Sequence, residues 1–299
     1  MKRLIIAPFF FAFVVVAVLY LTRAIGMPAG TLPDHSFDLV NGERIFNAGG
    51  CASCHSSGAK DAEVPELGGG LAMDTDFGIF HAPNISPHKS NGIGSWTMLE
   101  FASAMLKGVS PEGQHLYPSF PYTSYTRMQI TDVMDLKSYL DTLPPVAKIN
   151  LPHELKFPWN IRDGIGLWKV LNLNSDPIID VPTGNNKLLL GRYLVEGPGH
   201  CGECHTPRNW SGGLNTKDWL AGAPNPEGEG KVPNITPGAE TLGQWSEKDI
   251  AYYLKSGFTP DYDTVGSSMV EVQENMSKLS DEDRKAIAAY LKAVPAITN

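Results

Sequence analysis

Cys201-Gly202-Glu203-Cys204-His205 repeats, about 150 positions further on, the pattern of Cys51-Ala52-Ser53-Cys54-His55. C-x-x-C-H is the attachment signature of a c-type haem. On a helical turn, positions i, i+3 and i+4 share one face. Both thiols then reach the vinyl groups of one porphyrin while the imidazole stands over the iron. Cysteine supplies the thioethers and histidine the proximal ligand. A thioredoxin-like C-x-x-C needs a neighbouring βαβ pattern, and neither copy has one. A four-cysteine zinc site would join the two pairs but leave both histidines unexplained. The two motifs use all four cysteines of the chain. The expectation is two covalently bound haem c groups, one on Cys51 and Cys54 with His55, one on Cys201 and Cys204 with His205.

The motif is part of a larger duplication. "APNISP" from Ala82 matches "VPNITP" from Val232, and "SWTMLEFASAMLKGVSP" from Ser95 matches "QWSEKDIAYYLKSGFTP" from Gln244. "ITDVMDLKSYLDTLPPV" matches "LSDEDRKAIAAYLKAVP" near the end of each copy, and the order is the same in both halves. Thr97 with Glu100, Ser246 with Asp249 and Ser280 with Asp283 have capping-box spacing. Ile287, Tyr290, Leu291 and Val294 fall on one helical face, as do Met98, Phe101, Ala102 and Met105. Leu39, Ile45 and Phe46 are expected to face a core. No sustained alternation marks a strand, so the class is mainly α.

A chain of 299 residues suggests about two domains. The net charge of −8 argues against nucleic-acid binding and is compatible with a basic redox partner. Lys2 and Arg3 precede an uncharged run from Leu4 to Leu21, and Arg23 follows. That run is long for a signal core and near the minimum for a spanning helix. It is read as an uncleaved anchor rather than a removed signal. Basic residues at the short end keep that end cytoplasmic, so the remainder lies on the periplasmic side of the membrane. The expected divisions are an anchor or signal at 1–23, a spacer at 24–36, a first haem domain at 37–146, a linker at 147–186 and a second haem domain at 187–296. Ile165, Leu167, Trp168, Leu171 and Leu173 are too apolar for a free tether and are expected to pack on one or both domains.

Electron-transfer haems commonly take methionine as the sixth ligand, which raises the reduction potential. It should come from a loop well downstream of the histidine, just before the last helix. Met98, Met105 and Met134 fit helical patterns and core packing, and Met73 follows His55 closely. Met128 in "YPSFPYTSYTRM" is the candidate for the first haem. Met269 and Met276 both qualify for the second, and Met269 is preferred because Gly266 and two serines permit close approach. His81, His88, His115 and His153 are weighed as ligands and read as hydrogen-bonded structural residues. The carbonyls of Pro83 and Pro233 are available to fix the tautomer of each proximal imidazole.

"GRYLVEGPGHCGECHTPRN", "GIGSW", "LYPSFPYTSY" and "NIRDGIGLWK" together resemble the membrane-associated cytochrome c subunits of bacterial alcohol and aldehyde dehydrogenases, over about residues 37–296. The resemblance implies two tandem class I-like cytochrome c domains. It also implies a subunit without substrate chemistry of its own. Such a subunit takes electrons from a dehydrogenase donor and passes them toward a cytochrome, an oxidase or a quinone-linked acceptor. The best-known members carry a third C-x-x-C-H unit, whereas this sequence contains two. The alternative is a dihaem enzyme, a peroxidase or a thiosulfate-oxidising protein, which needs an iron with an open sixth position and acid–base groups beside it.

Overall fold

The computed structural model describes residues 2–58, 64–225 and 230–298; the side chains of residues 2–11 lie outside the description. Helix α1 spans Lys2–Leu21, so the expected anchor at 4–22 falls partly on residues whose side chains are not described. Among the described residues no helix is long and apolar enough to cross a membrane.

Two helical units follow, built in the same order. In the first, α2 (Leu39–Ala48) leads into α3 (Cys51–His55), then α4 (Met98–Lys107), α5 (Tyr122–Tyr125) and α6 (Ile130–Leu140). After a connecting α7 (Gly164–Asn172), the second unit runs α8 (Asn186–Glu196), α9 (Gly202–His205), α10 (Glu247–Ser256), α11 (Met269–Ser277) and α12 (Asp281–Ala293). The helix starts are written in the sequence. Thr97 and Ser246 form complete capping boxes with Glu100 and Asp249, and Ser280 accepts from the Asp283 N–H. Each such cap contributes about 1 kcal/mol. Gly108 and Gly257 close α4 and α10 in the left-handed conformation.

Each unit is held by a crossing of its first and last long helices, α2 on α6 and α8 on α12. At both crossings a glycine meets backbone. A Cβ added at Gly42 would collide with the Asp135 carbonyl and lie 2.7 Å from Tyr139 Cβ. One added at Gly191 would collide with the Ala286 carbonyl and lie 2.8 Å from Tyr290 Cβ. Around the crossings sit two apolar cores. The first gathers Ile45, Phe46, Phe101, Met105, Val133 and Leu136, and the second Leu194, Val195, Ile250, Leu254, Ile287 and Leu291. Leu39, expected inward, is 48% exposed; it is the first residue of α2 and lies above the crossing.

Small sheets escaped the sequence reading. β1 (Ala72–Thr75) and β2 (Gly78–His81) form an antiparallel hairpin, and β3 (Glu154–Leu155) pairs on the other edge of β2. In the second unit β4 (Ala223–Pro224) pairs with β5 (Lys231–Val232). Strands of two to four residues are too short to show alternation. Residues at the start of the expected linker thus complete the first unit. Asn84 donates to the carbonyls of Val146 and Lys148, as Asn234 donates to Ile297 in the second.

The expected spacer is also laid down on protein. The Met27 N–H donates to Ser103 Oγ at 2.9 Å, and His35 and the Asp38 N–H bond the Asp135 carboxylate at 2.7 and 2.8 Å. Helix α7 is clamped to both units. Lys169, buried, donates to the Lys107 and Gly108 carbonyls at the end of α4, where the helix dipole favours a cation. From the same helix Trp168 Nε1 donates to the Ser211 carbonyl, and Asn172 accepts from Asn209 and Ser211. Ile165 is buried, but Leu167 and Leu171 are 50% and 58% exposed, because the clamping face of α7 is the one that carries Lys169.

Alanine for glycine in a helix normally stabilises by about 1 kcal/mol. At Gly42 or Gly191 the sign should reverse, with a loss of about 2–3 kcal/mol from overpacking, read as a lowered midpoint of chemical denaturation.

Candidate functional site

The segment before each C-x-x-C-H must turn sharply from a helix into a new helical turn. Gly50 does so with φ 55° and His200 with φ 37°. For a non-glycine residue that conformation costs about 1–3 kcal/mol. His200 is held in it by a bond from Nδ1–H to the Pro198 carbonyl at 2.9 Å and by its ring against Tyr125, centroids 5.6 Å apart.

Both sequence-predicted histidines are oriented in the same manner. His55 Nδ1 bonds the Pro83 carbonyl at 2.7 Å, and His205 Nδ1 bonds the Pro233 carbonyl at 2.8 Å. A carbonyl only accepts, so Nδ1 carries the proton and Nε2 keeps its lone pair. Burial lowers the pKa of both imidazoles, with the proline bond acting the other way. They are therefore neutral, as ligation requires. The four cysteines form no disulfide, and burial pushes the Cys51 and Cys201 thiols up to about 12. These donors suit a c-type haem: two thiols and a tautomer-fixed imidazole on one turn, twice. The spare histidines are engaged elsewhere. His81 bonds Glu154, His88 accepts from the Ser90 and Asn91 N–H groups, His115 bonds the Thr22 carbonyl, and His153 accepts from the His81 N–H.

The methionines divide. Met269 opens α11 and lies partly buried against the second core, while Met276 is 4% exposed and inside it. Arg284, buried in α12, donates to the carbonyls of Met276, Ser277 and Leu279 and fixes the end of α11. Met128 is 7% exposed, packed within the first core, and directly precedes Gln129, the residue that starts α6.

The two attachment segments are joined through their own central residues. Asn275 of α11 donates to Ser53 Oγ at 2.9 Å. In return Thr123 and Ser124 of α5 donate to one Glu203 carboxylate oxygen at 2.7 and 2.9 Å, and Arg208 pairs with the other. Further out, Arg44 makes a two-point bond to Asp283 at 2.7 and 3.0 Å, and Tyr193 bonds Asp132 across the matching place. Glu196, buried, accepts from Tyr290 and from the Ile178 and Ile179 N–H groups. Sequence reading missed this set. Only the duplication itself hinted that the spacer residues of one motif meet the helix after the other unit's ligand loop.

The family model described as "Cytochrome c" matches residues 39–144. A "Diheme cytochrome c-type" protein of Cereibacter sphaeroides is 52% identical over 94% of this chain and 94% of its own length. The "Fructose dehydrogenase cytochrome subunit" of Gluconobacter japonicus is 36% identical over 88% of the chain and 54% of its own length. The "Alcohol dehydrogenase (quinone), cytochrome c subunit" of Gluconobacter oxydans is 32% identical over 87% and 55%. The chain thus spans about half the length of these two subunits.

Burial pushes the Asp283 carboxyl up, but its bonds to Arg44 and Ser280 outweigh this and hold it below the usual range. The stability from this pair is complete above the unfolded carboxylate pKa, near 3.9, and is lost as pH falls through the lower folded value. Asp283→Asn should destabilise by about 2 kcal/mol at neutral pH, a figure reduced because Arg44 keeps solvent contact. Its acid-unfolding profile should be flatter than that of the parent.

Proposed function

The chain belongs to the cytochrome c family, and from that premise we propose that it carries electrons for a dehydrogenase on the periplasmic face of the bacterial cytoplasmic membrane. It is an electron-transfer cytochrome with two covalently bound haem c groups and no substrate chemistry of its own. In this reading Cys51, Cys54, Cys201 and Cys204 form the thioethers, His55 and His205 are the proximal ligands, and Met269 is the sixth ligand of the second iron. Each haem supplies a one-electron ferric–ferrous couple.

The observation that carries the reading is the paired geometry of the two attachment turns. The proline carbonyls hold each imidazole in one tautomer and one ring orientation, so little at the ligand needs to rearrange when the charge on the iron changes. Tyr125 is buried beside the partly buried Cys51 turn, and Cys201 is partly buried against the second core. The reciprocal bonds of Asn275 and Glu203 keep the two turns at a fixed separation. The relatives named above are cytochromes and cytochrome subunits of dehydrogenases, which gives the peroxidase alternative no support.

Division at about 37–146 and 187–296 into two haem domains follows the repeated helix order and the two cores. Anchoring by residues 4–22 is supported by the uncharged run and by what surrounds the helix end. The Thr22 carbonyl accepts from His115 at 2.8 Å and packs on Gly166 of α7, whose Leu167, Val170 and Leu171 are exposed. Such an apolar rim suits a membrane surface.

Purified protein should hold covalent haem at two per chain, and replacing Cys201 and Cys204 together by serine should remove one. A tagged chain used as bait should retain a dehydrogenase whose substrate reduces both haems in a redox titration. Full reduction with no retained dehydrogenase, together with consumption of peroxide, would sink the reading. Deletion of residues 2–21 should move the protein from the membrane fraction to the soluble one.

A further inference from the structure

The two units can be compared residue by residue where they share hydrogen bonds. After α4 and α10 the chain forms isolated bridges, Val109 with His115 and Phe258 with Thr264. The next residues then donate back to the capping glycines, Leu116 to the Gly108 carbonyl at 2.7 Å and Val265 to that of Gly257 at 2.8 Å. Leu116 and Val265 are therefore counterparts. Counting on from each, the residue opposite Met269 is Phe120. Both side chains are partly buried against the core of their own unit, and each leads directly into the next helix. Two extra residues in the second unit lengthen α11 beyond this point.

The same comparison relocates Met128. Met128 donates its N–H to the Tyr125 carbonyl and stands immediately before the first residue of α6's cap; Leu279 does the same with Met276 and the Ser280 cap of α12. Met128 and Leu279 are 7% and 4% exposed. An apolar residue just before a helix cap commonly staples the chain to the helix. Met128 thus has the role of a leucine in the other half. Of the remaining sulfur atoms on this core, Met105 stands at the place of Leu254 in α10. Met27 is tied to Ser103, two residues from Phe101 and Met105 and so on another face of α4.

Resting on the assignment of a haem to each C-x-x-C-H, we propose that Phe120 takes the thioether's place at the first haem site. That iron then lacks a methionine ligand and, when reduced, binds a small diatomic ligand such as carbon monoxide. A phenyl ring has no lone pair to donate. Its edge packs with Tyr122 and Tyr125, at centroid distances of 6.3 and 5.5 Å, and an apolar side chain at that place favours a neutral diatomic over an anion. The two haems are then unequal, the second holding the higher potential because a thioether favours the ferrous state.

The test uses the full-length dihaem protein. Carbon monoxide added to dithionite-reduced protein should shift the Soret band of half the haem and leave the other half unchanged. Phe120→Met should abolish the carbon monoxide response and raise the lower of the two potentials. Met128→Leu should leave both spectrum and potentials as they are. Absence of any carbon monoxide complex in the parent, or conversion of one haem to a carbon monoxide-binding form by Met128→Leu, overturns the proposal. Covalent haem counted by the pyridine haemochrome method separates the two readings. A count below two per chain defeats the assignment of two haems, whereas two haems with no carbon monoxide response defeats only the role of Phe120.

Discussion

The structure depends on two glycines placed where helix backbones touch. At Gly42 and Gly191 the first helix of each unit approaches the last so closely that a methyl group would strike a carbonyl. The aromatic rings that flank the contacts, Tyr139 and Tyr290, extend outward from the crossing, the first packing at a tilt on Phe46 and the second reaching Glu196. Because each crossing fixes α2 or α8, it also fixes the turn that follows, and with it the cysteine pair and its histidine. Displacing the helix by the width of one methyl group would carry the attachment turn away from the proline carbonyl that orients the imidazole. Van der Waals contact at the crossing and hydrogen bonding at the histidine are thus two ends of one rigid arm.

Between the units polar contacts come in related pairs. Arg44 with Asp283 and Tyr193 with Asp132 occupy corresponding places, yet one pair is ionic and the other a phenol on a carboxylate. The ionic pair combines a 4% exposed carboxylate with an arginine that retains 28% exposure. Such a pair adds orientation more than strength. Helix α7 adds a third fastening. Burial lowers Lys169 to about 8, so between there and the ordinary lysine value the unfolded chain binds more protons, and stability rises with pH across that interval.

Local chemistry was legible in the residues; arrangement was not. The C-x-x-C-H turns, the capping boxes at Thr97 and Ser246, and the proline partners of both histidines depend on short spacings or on a repeat, and all appear where the sequence places them. The hairpin at Ala72–His81 was hidden by its brevity, and its third strand lay in what reads as linker. Leu167 and Leu171 look like core residues by composition, but the buried face of α7 is set by Lys169, whose charge argues for the opposite side. Met128 shows a sharper limit. A methionine in a proline-rich loop before a helix has the composition of a ligand, whereas its backbone hydrogen bond, like that of Leu279, is the one made by an apolar residue just before a helix cap. The interface residues Asn275 and Glu203 carry no signal of their own, because their partners are more than 70 residues away.

The reciprocal grip on Ser53 and Glu203 makes the halves answerable to each other. Each attachment turn is clasped by a helix of the opposite unit, so a fault in one turn is felt as slack in its neighbour. A chain maturing with one porphyrin missing would not be a tidy half-protein beside an intact one; it would be two loosened modules. Duplication with mutual clasping thus couples two carriers that would otherwise be independent.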